Sequence, residues 1–463
     1  MELQTKARLA SAALLICCLI PGVGMLVLPE QEAAANQALA PMPALTLPDG
    51  SVNPDVLQQA TDYIADHFAF RQELITAGAA LQASVFHTSA EDSVLLGRDG
   101  WLFYRETVPG YLHTEPLSDR ALYSAAHTLA LLREYIESHG AQFLFTVAPN
   151  KASLYPEFLP RVGTPLPGTD DIDRLLPLLA QENVPYANLF AAFRAQPDIL
   201  YYQQDSHWNT RGAALAHDVL TEALGKDDVS PFFDGAWKPV RNHRSDLYEM
   251  LYPAGNDLEE DASFDRGFTF SYDSEPRSAE DQRIQTSCPG KSGKLLMFRD
   301  SFGNSLHSFL ADSYGHATFS RAMPYQMALL GETGADTVVI ELVERNLDWL
   351  TVRAPIFPAP ERGLQGDPPQ GTAAASITAQ NDGQLQGYLR LEGSLSDADT
   401  DSPLYIQLGE SLYEASPVGS AENRLPFTLY VPENAVTSNA RVLYLSNDTL
   451  YQTALVPITM PAK

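Results

Sequence analysis

The segment Lys294–Ser305 reads KLLMFRDSFGNS, and it decides how the chain is expected to fold. Its apolar first half predicts a buried β-strand over 294–298, and the run from Gly303 to Leu310 predicts a short helix directly after it. A strand that passes at once into a helix brings the intervening Ser301 to the carboxyl end of a sheet and to a helix N-terminus. Free backbone N–H groups there can stabilise an oxyanion, so Ser301 is a candidate nucleophile, with helix capping as the alternative role.

Further buried strands and helices alternate around this segment. Continuous apolar runs that alternate with helices are typical of a mostly parallel sheet covered on both faces, so an α/β fold is predicted. The predicted strands are 94–96 and 101–104, joined by a turn at 99–100, then 143–147 and 337–342; the predicted helices are 56–75, 118–139, 171–181 and 210–224.

The composition changes after residue 354. A proline- and glycine-rich stretch over 355–371 predicts a linker between the α/β domain, residues 55–354, and a last region, residues 372–463. That region contains short strand-like runs separated by turn residues and no helical period. It therefore predicts a small β-sandwich, for which carbohydrate binding is one role.

The N-terminal segment indicates export. Lys6 and Arg8 precede an uncharged run over 9–29, which is about the length that crosses a bilayer as a helix. Positive charge before such a span keeps the N-terminus in the cytoplasm and exports the remainder. Residues 1–30 are therefore predicted to be a single-pass membrane anchor, 31–54 a tether, and the body extracytoplasmic. A cleaved signal peptide with secretion is the alternative.

The charge of the chain limits its partners. The formal net charge is -28, from 58 acidic and 30 basic side chains. A surface this acidic repels phosphate backbones, so nucleic acid is not an expected partner. Neutral glycans, or acyl carriers held by a partner protein, remain open.

A second motif precedes the predicted helix at 210–224. A serine nucleophile needs a base, and the base needs a carboxylate that fixes its tautomer. Asp205 and His207 are separated by one residue, which brings both side chains to the same side of an extended segment. A structural loop and a metal site are the alternatives. No metal is predicted, because the other histidines are scattered and form no ligand cluster.

Taken together, the motifs resemble a known family. Over roughly residues 55–352 the chain is similar to the DHHW proteins and to the alginate O-acetylation proteins of the AlgX and AlgJ type, which have an SGNH-hydrolase-like fold. The resemblance implies a triad in the chain order Asp205, His207, Ser301. The motifs that carry it are 66–71, 97–104, 149–151 with 155–157, 205–209, 246–247, 300–302 and 341–346.

The nucleophile motif departs from the alginate proteins. They have a Gly-Thr-Ser phrase where this chain has Arg299-Asp300-Ser301, which is closer to the DHHW group. The usual oxyanion blocks are also not recognisable by position, and Asn150 and Asn304 are the candidates. Three further side chains are expected near the same carboxyl edge and could contact substrate, with an ion pair or a packed ring as the alternative: Lys151, Tyr155 and Arg321.

The resemblance also implies a function. The expected activity is transfer of acetyl groups onto a cell-surface or secreted polysaccharide through an acyl-serine intermediate. No cofactor is expected, because an integral-membrane partner of the MBOAT type would supply the acetyl group from the cytoplasmic side. A polysaccharide O-acetylesterase with the same triad and a non-catalytic glycan-binding or assembly protein are the two alternatives.

Overall fold

The structure, a computed structural model, describes residues 11, 23–25, 27, 39–274, 278–363, 366–396, 398–399, 401–419 and 424–460. The predicted membrane anchor lies almost entirely outside these residues. In the described part of the chain, no helix is both long enough and apolar enough to cross a bilayer.

Between residues 56 and 352 the chain alternates helices with strands. The helices are Val56–His67 (α1), Arg71–Phe86 (α2), Val108–Leu112 (α3), Asp119–Ser138 (α4), Lys151–Leu154 (α5), Asp171–Gln181 (α6), Leu189–Arg194 (α7), Thr210–Ala223 (α8), Asp246–Leu251 (α9), Gly303–Ala311 (α10), Ala328–Thr333 (α11) and Trp349–Val352 (α12). The strands are Val94–Leu96 (β1), Leu102–Tyr104 (β2), Gln142–Ala148 (β3), Tyr186–Ala187 (β4), Trp237–His243 (β5), Glu259–Phe264 (β6), Ser271–Tyr272 (β7), Arg283–Ser287 (β8), Lys294–Phe298 (β9), His316–Ser320 (β10) and Thr337–Val343 (β11).

The central sheet positions the site. Its strand order is β4-β3-β11-β9-β10-β8-β7 among the described residues, and the first five of these strands run parallel. Alternate residues of one strand face opposite sides: Phe143 and Phe145 pack in one hydrophobic cluster and Leu144 in another. The predicted α/β architecture is confirmed, and β9 has the predicted bounds.

Local signals explain several element ends. The Ser118 hydroxyl accepts a hydrogen bond from the backbone N–H of Ala121 at 3.1 Å and caps α4. One expectation was wrong: the apolar period over 56–75 forms two helices, not one. Phe70 lies between α1 and α2 with a φ of 64°, a left-handed conformation that interrupts a right-handed helix.

The C-terminal region is all-β, as predicted, but its strands close into a barrel and do not form a sandwich. Ser416 and Pro417 pair with Thr428 and Phe427, and this contact joins the last strand of the row to the second one. The sequence pattern did not predict the strand over Ser411–Pro417 that makes this contact. The strands are Glu361–Arg362 (β12), Ala375–Gln380 (β13), Tyr388–Ser396 (β14), Leu404–Leu408 (β15), Ser411–Pro417 (β16), Arg424–Pro432 (β17), Asn439–Ser446 (β18), Thr449–Gln452 (β19) and Val456–Thr459 (β20).

The segment over 355–371, predicted as a linker, packs against both regions of the chain. Ile356 and Phe357 are buried, and β12 pairs with β16 of the barrel. The Arg362 guanidinium hydrogen-bonds Glu414 of the barrel and Glu134 of α4. The segment therefore contributes to the contact between the two regions.

Candidate active site

Ser301 lies at the carboxyl edge of the central sheet, between β9 and α10. The neighbouring Asp300 side chain holds this turn. Its Oδ1 accepts the N–H of Phe302 at 3.0 Å, and its Oδ2 accepts the N–H of Val343 at 2.7 Å and Nδ2 of Asn346 at 3.0 Å. The carboxylate thus fastens the serine turn to the end of β11.

Asp205 and His207 lie in the loop that leads into α8. The Asn209 side chain caps this helix by accepting the N–H of Gly212 at 3.0 Å. A Cβ atom on Gly212 would lie 2.5 Å from the carbonyl oxygen of Leu200 and 2.8 Å from the Trp208 Cβ, so only glycine allows the helix to approach the loop this closely. Trp208 is fully buried and donates to the Ser305 hydroxyl at 2.8 Å, which ties the loop to α10.

The structure brings the three predicted triad residues together. The Ser301 Oγ lies 2.9 Å from His207 Nε2, and His207 Nδ1 lies 2.8 Å from Asp205 Oδ1. Both distances are in the hydrogen-bonding range. In this arrangement His207 can accept a proton from Ser301 while Asp205 fixes the orientation of the ring.

Electrostatics favours an ionised carboxylate beside a basic imidazole. Burial lowers the pKa of His207, but the hydrogen bond and charge of Asp205 and the charge of Asp246 outweigh it, so the pKa is raised. Burial raises the pKa of Asp205, but hydrogen bonds and charges from His207 and His243 outweigh it and hold the pKa well below its usual range. The pair is therefore suited to take up a proton on the imidazole.

Lys151 and Tyr155 support the loop that carries Asp205. The Lys151 ammonium is buried and donates to the backbone carbonyls of Tyr202 and Gln203 at 3.1 Å and of Asp205 at 2.5 Å. Burial lowers its pKa to about 8. The Tyr155 hydroxyl accepts the N–H of Leu200 at 2.9 Å. Their observed contacts are thus with the loop, and substrate contact by either residue stays a prediction.

The remaining predicted residues have different surroundings. The Asn150 Oδ1 lies 3.5 Å from Nη1 of Arg345, whereas the Asn304 Oδ1 accepts from Arg299 at 2.6 Å. Arg321 donates to the carbonyl of Glu280 at 3.1 Å. The Arg345 guanidinium carbon lies 5.6 Å from the centre of the Phe302 ring.

Sequence reasoning missed further residues of the site. His243 Nε2 donates to Asp205 Oδ2 at 2.9 Å, and Asp246 accepts the N–H of Ser206 at 2.8 Å. Asp246 belongs to one of the motifs that carry the family resemblance, but the sequence assigned it no role in the site. No sequence pattern around His243 indicated a role for that residue either. The sequence did contain a signal for Glu341, because it is the single carboxyl in a buried and mostly apolar strand. Burial and the charge of Asp300 raise the pKa of Glu341 well above its usual value.

Asp205, His207 and Asp246 also have the side-chain types of a metal site. One oxygen of each carboxylate and one ring nitrogen of the histidine lie within 4.8 Å of one another. The same carboxylate oxygens already accept hydrogen bonds from His207, His243, Ser206 and the Asp246 N–H. A cation would have to displace these donors, so the geometry fits a hydrogen-bonded triad better than a cation site.

The central segment has known relatives. Residues 94–253 match the family model of the SGNH hydrolase-like domain of the acetyltransferase AlgX. That segment contains Asp205, His207, His243 and Asp246, and Ser301 lies beyond it. This α/β segment is thus similar to an SGNH hydrolase-like domain, and the all-β region follows it in the chain.

Individual proteins extend this similarity. The chain is 28% identical over 168 residues to the probable alginate O-acetylase AlgJ of Pseudomonas putida, a match that covers 33% of this chain and 38% of that protein. The solved O-acetyltransferase domain of that species' AlgJ aligns at 19% identity with a TM-score of 0.38, over 55% of this chain and 92% of that one. A solved DHHW family protein from Eubacterium siraeum aligns at 16% identity with a TM-score of 0.39. This alignment covers 54% of this chain and 89% of that one. The predicted resemblance to the AlgX, AlgJ and DHHW proteins is confirmed.

Proposed function

We propose that this protein is an extracytoplasmic O-acetyltransferase that modifies a polysaccharide through Ser301, His207 and Asp205. The observation that carries the proposal is the hydrogen-bonded series from Ser301 Oγ through both ring nitrogens of His207 to Asp205 Oδ1, at 2.9 and 2.8 Å. A serine hydroxyl becomes an effective nucleophile when an adjacent base removes its proton. The similarity to proteins named as acetyltransferases supports the choice of acyl group.

In the first half-reaction, Ser301 Oγ attacks the carbonyl carbon of the acetyl donor and His207 Nε2 takes the hydroxyl proton. When the tetrahedral intermediate collapses, His207 gives that proton to the departing group, and the acetyl ester remains on Ser301. The Ser301 N–H makes no hydrogen bond to any described residue. This N–H is the donor that we propose for the oxyanion, together with the N-terminus of α10.

In the second half-reaction, a sugar hydroxyl gives its proton to His207 and attacks the acetyl-serine carbonyl. Collapse of this second intermediate releases the acetylated sugar, and the proton returns from His207 to Ser301 Oγ. Asp205 holds the ring and stabilises the imidazolium in both steps. Transfer exceeds hydrolysis when the sugar is held in position and water is excluded.

Supply of the acetyl group requires a partner in this scheme. An anchored, outward-facing enzyme has no direct access to cytoplasmic acyl carriers, so we propose that an MBOAT-type membrane protein delivers the acetyl group. The chain itself then needs no cofactor. The N-terminal anchor over residues 1–30 would keep the domain beside that partner.

We further propose that the acceptor is a glycan without carboxylate groups. A cavity of about 240 Å³ lies beside Arg345 and Asn150, and its rim carries the exposed carboxylates of Glu106, Glu115 and Asp348. With a net charge of -28, the protein would repel a polyuronate in the same region. The relatives named for alginate share only part of this chain, and the electrostatics here favours a neutral polymer.

Trapping the intermediate tests the proposal. The purified full-length protein, incubated with a small activated acetyl ester and quenched in acid, should carry a Ser301 peptide that is about 42 Da heavier, the mass of any acetyl-serine. Addition of a glycan acceptor should discharge it and acetylate the glycan. Rapid release of free acetate without any acceptor would instead identify an O-acetylesterase. Undiminished function in Ser301→Ala would favour a non-catalytic glycan-binding protein.

A further inference from the structure

The Asp205 carboxylate lies between two imidazole rings. One oxygen, Oδ1, lies 2.8 Å from His207 Nδ1, and the other, Oδ2, lies 2.9 Å from His243 Nε2. The Asp205 side chain is only 4% exposed, so both contacts are shielded from water. The triad scheme uses the first contact and gives no role to the second.

The position of His243 is set by its own surroundings. It is the last residue of β5, where the pairing with β6 shifts register between Arg241 and His243. The ring stacks on Tyr202 with 3.6 Å between centroids and 3° between planes. Stacking fixes the plane of the imidazole, and Nε2 then faces Asp205 Oδ2 directly.

We propose that His243 is a positioning residue of the acyl-transfer site, which holds Asp205 Oδ2 so that Oδ1 stays directed at His207 Nδ1. This inference rests on the proposed function. The N–H of Asp246 also donates to Oδ2 at 2.9 Å, so two donors fix the carboxylate in one plane. Without His243, Oδ2 would be held by the Asp246 N–H alone and the carboxylate less firmly, and misorientation of the general base lowers the rate of proton transfer.

His243 also affects the charge that His207 experiences. Burial lowers the pKa of His243, but the hydrogen bond to Asp205 and the charges of Asp205, Asp261 and Glu259 outweigh it and raise the pKa. When His243 is protonated, it neutralises part of the Asp205 charge and makes His207 less basic. Removal of the second imidazole should therefore raise the pKa of His207 while it loosens the carboxylate.

The test compares His243→Phe, which keeps a ring to stack on Tyr202, with His243→Gln, which keeps an N–H donor. Hydrolysis of a small activated acetyl ester by the full-length protein is followed as a function of pH. We expect His243→Phe to lower kcat about 10- to 100-fold with little change in KM. It should also move the acid limb of the pH–rate profile to higher pH. His243→Gln should recover most of the lost kcat.

The control is His316→Phe, an exposed histidine on β10, which should behave like the wild type. A folded His243→Phe protein with wild-type kcat and pH profile would overturn the inference. So would a His243→Gln protein that loses as much kcat as His243→Phe with an unshifted acid limb, because the role would then be structural. Activity that survives in Ser301→Ala is a different result and contradicts the proposed function itself.

Discussion

Among the described residues, two buried carboxylates each bind a histidine whose second ring nitrogen faces a different kind of group. Asp205 bonds His207, whose second nitrogen faces the hydroxyl of Ser301. Glu414 of the barrel bonds His127 of α4 at 3.1 Å, and the second nitrogen of His127 faces Glu182 at 3.0 Å. The first imidazole can accept a proton from a neutral group, whereas the second has a carboxylate at each end.

The difference determines what each pair can do. An imidazole between two carboxylates donates both N–H groups and stays charged, so it fastens the barrel to α4. Burial lowers the pKa of His127, but the hydrogen bonds and charges of Glu182 and Glu414 outweigh it and raise the pKa to about 9. Under the proposed function, a histidine–carboxylate pair therefore serves catalysis or attachment according to the group at the second ring nitrogen.

The largest effect is expected at the site. Ser301→Ala and His207→Ala should each lower the rate of acetyl-ester turnover on the order of 10³-fold or more, and the double variant should lose little beyond either single one, because the residues act as a unit. Unfolding midpoints in urea should change little, since neither side chain holds the core together. Additive losses in the double variant would contradict a shared mechanism.

The next effect sharpens the role of the carboxylate. Asp205→Asn should cost on the order of 10²- to 10³-fold in kcat, because the base remains but loses its orientation and its counter-charge. The wild type should lose activity as pH falls through the raised pKa of His207, since protonated His207 cannot act as a base. Asp205→Asn should move this limb to lower pH. A pH–rate profile measures both, and an unchanged limb would contradict the assignment of Asp205.

Much of this arrangement was predictable from local sequence. Strand β9 and the helix after it predicted that Ser301 lies at the carboxyl edge of the sheet. The need of a serine nucleophile for a base and a carboxylate, together with the family resemblance, linked it to His207 and Asp205. His243 was not predictable, because it reaches the site from the two-stranded sheet of β5 and β6. That sheet is held beside the Asp205 loop by Glu259, which accepts the N–H groups of Gln203 and Gln204 at 2.7 and 2.6 Å. Closure of the barrel was also hidden: it depends on the pairing of Ser416 with Thr428, and no period in the sequence encodes such a long-range partner.

The contact of His127 with Glu414 and Glu182 should affect the stability of the fold and leave the acyl-transfer reaction intact. His127→Gln should lower the free energy of unfolding by about 1–3 kcal/mol, because a charged histidine with two hydrogen bonds is lost, while kcat changes less than about twofold. The folded-state pKa of His127, about 9, exceeds the unfolded value of about 6.5. Its stabilisation is therefore complete below pH 6.5 and is lost as pH rises toward 9.

Urea denaturation at a series of pH values checks this prediction. The wild type should lose stability between pH 6.5 and 9, and His127→Gln should show a smaller loss over the same interval. His316→Gln, at an exposed position, serves as the matched control and should follow the wild type. A drop in kcat as large as that of the triad variants would show that the two histidine pairs are not functionally separate.

The smallest effect concerns the charged rim of the cavity beside Arg345. Removal of three exposed carboxylates, in Glu106→Gln, Glu115→Gln and Asp348→Asn combined, should raise kcat/KM for a uronate oligosaccharide about two- to fivefold at low salt. A neutral oligosaccharide of equal length should be unaffected, because it carries no charge to repel. The gain should shrink toward physiological ionic strength, where charges are screened over about 8 Å.

A control variant with three substitutions on the barrel distinguishes the local effect of the cavity-rim carboxylates from the effect of the protein's net charge. Glu410→Gln, Glu433→Gln and Asp448→Asn remove the same number of exposed charges far along the chain from the triad. If the rim acts locally, this variant should leave both acceptors unchanged. Equal gains from the two triple variants would assign the effect to the -28 net charge of the whole protein. A wild type that acetylates the uronate oligomer as fast as the neutral one would contradict the proposed acceptor class, and the triad assignment would stand or fall on its own measurements.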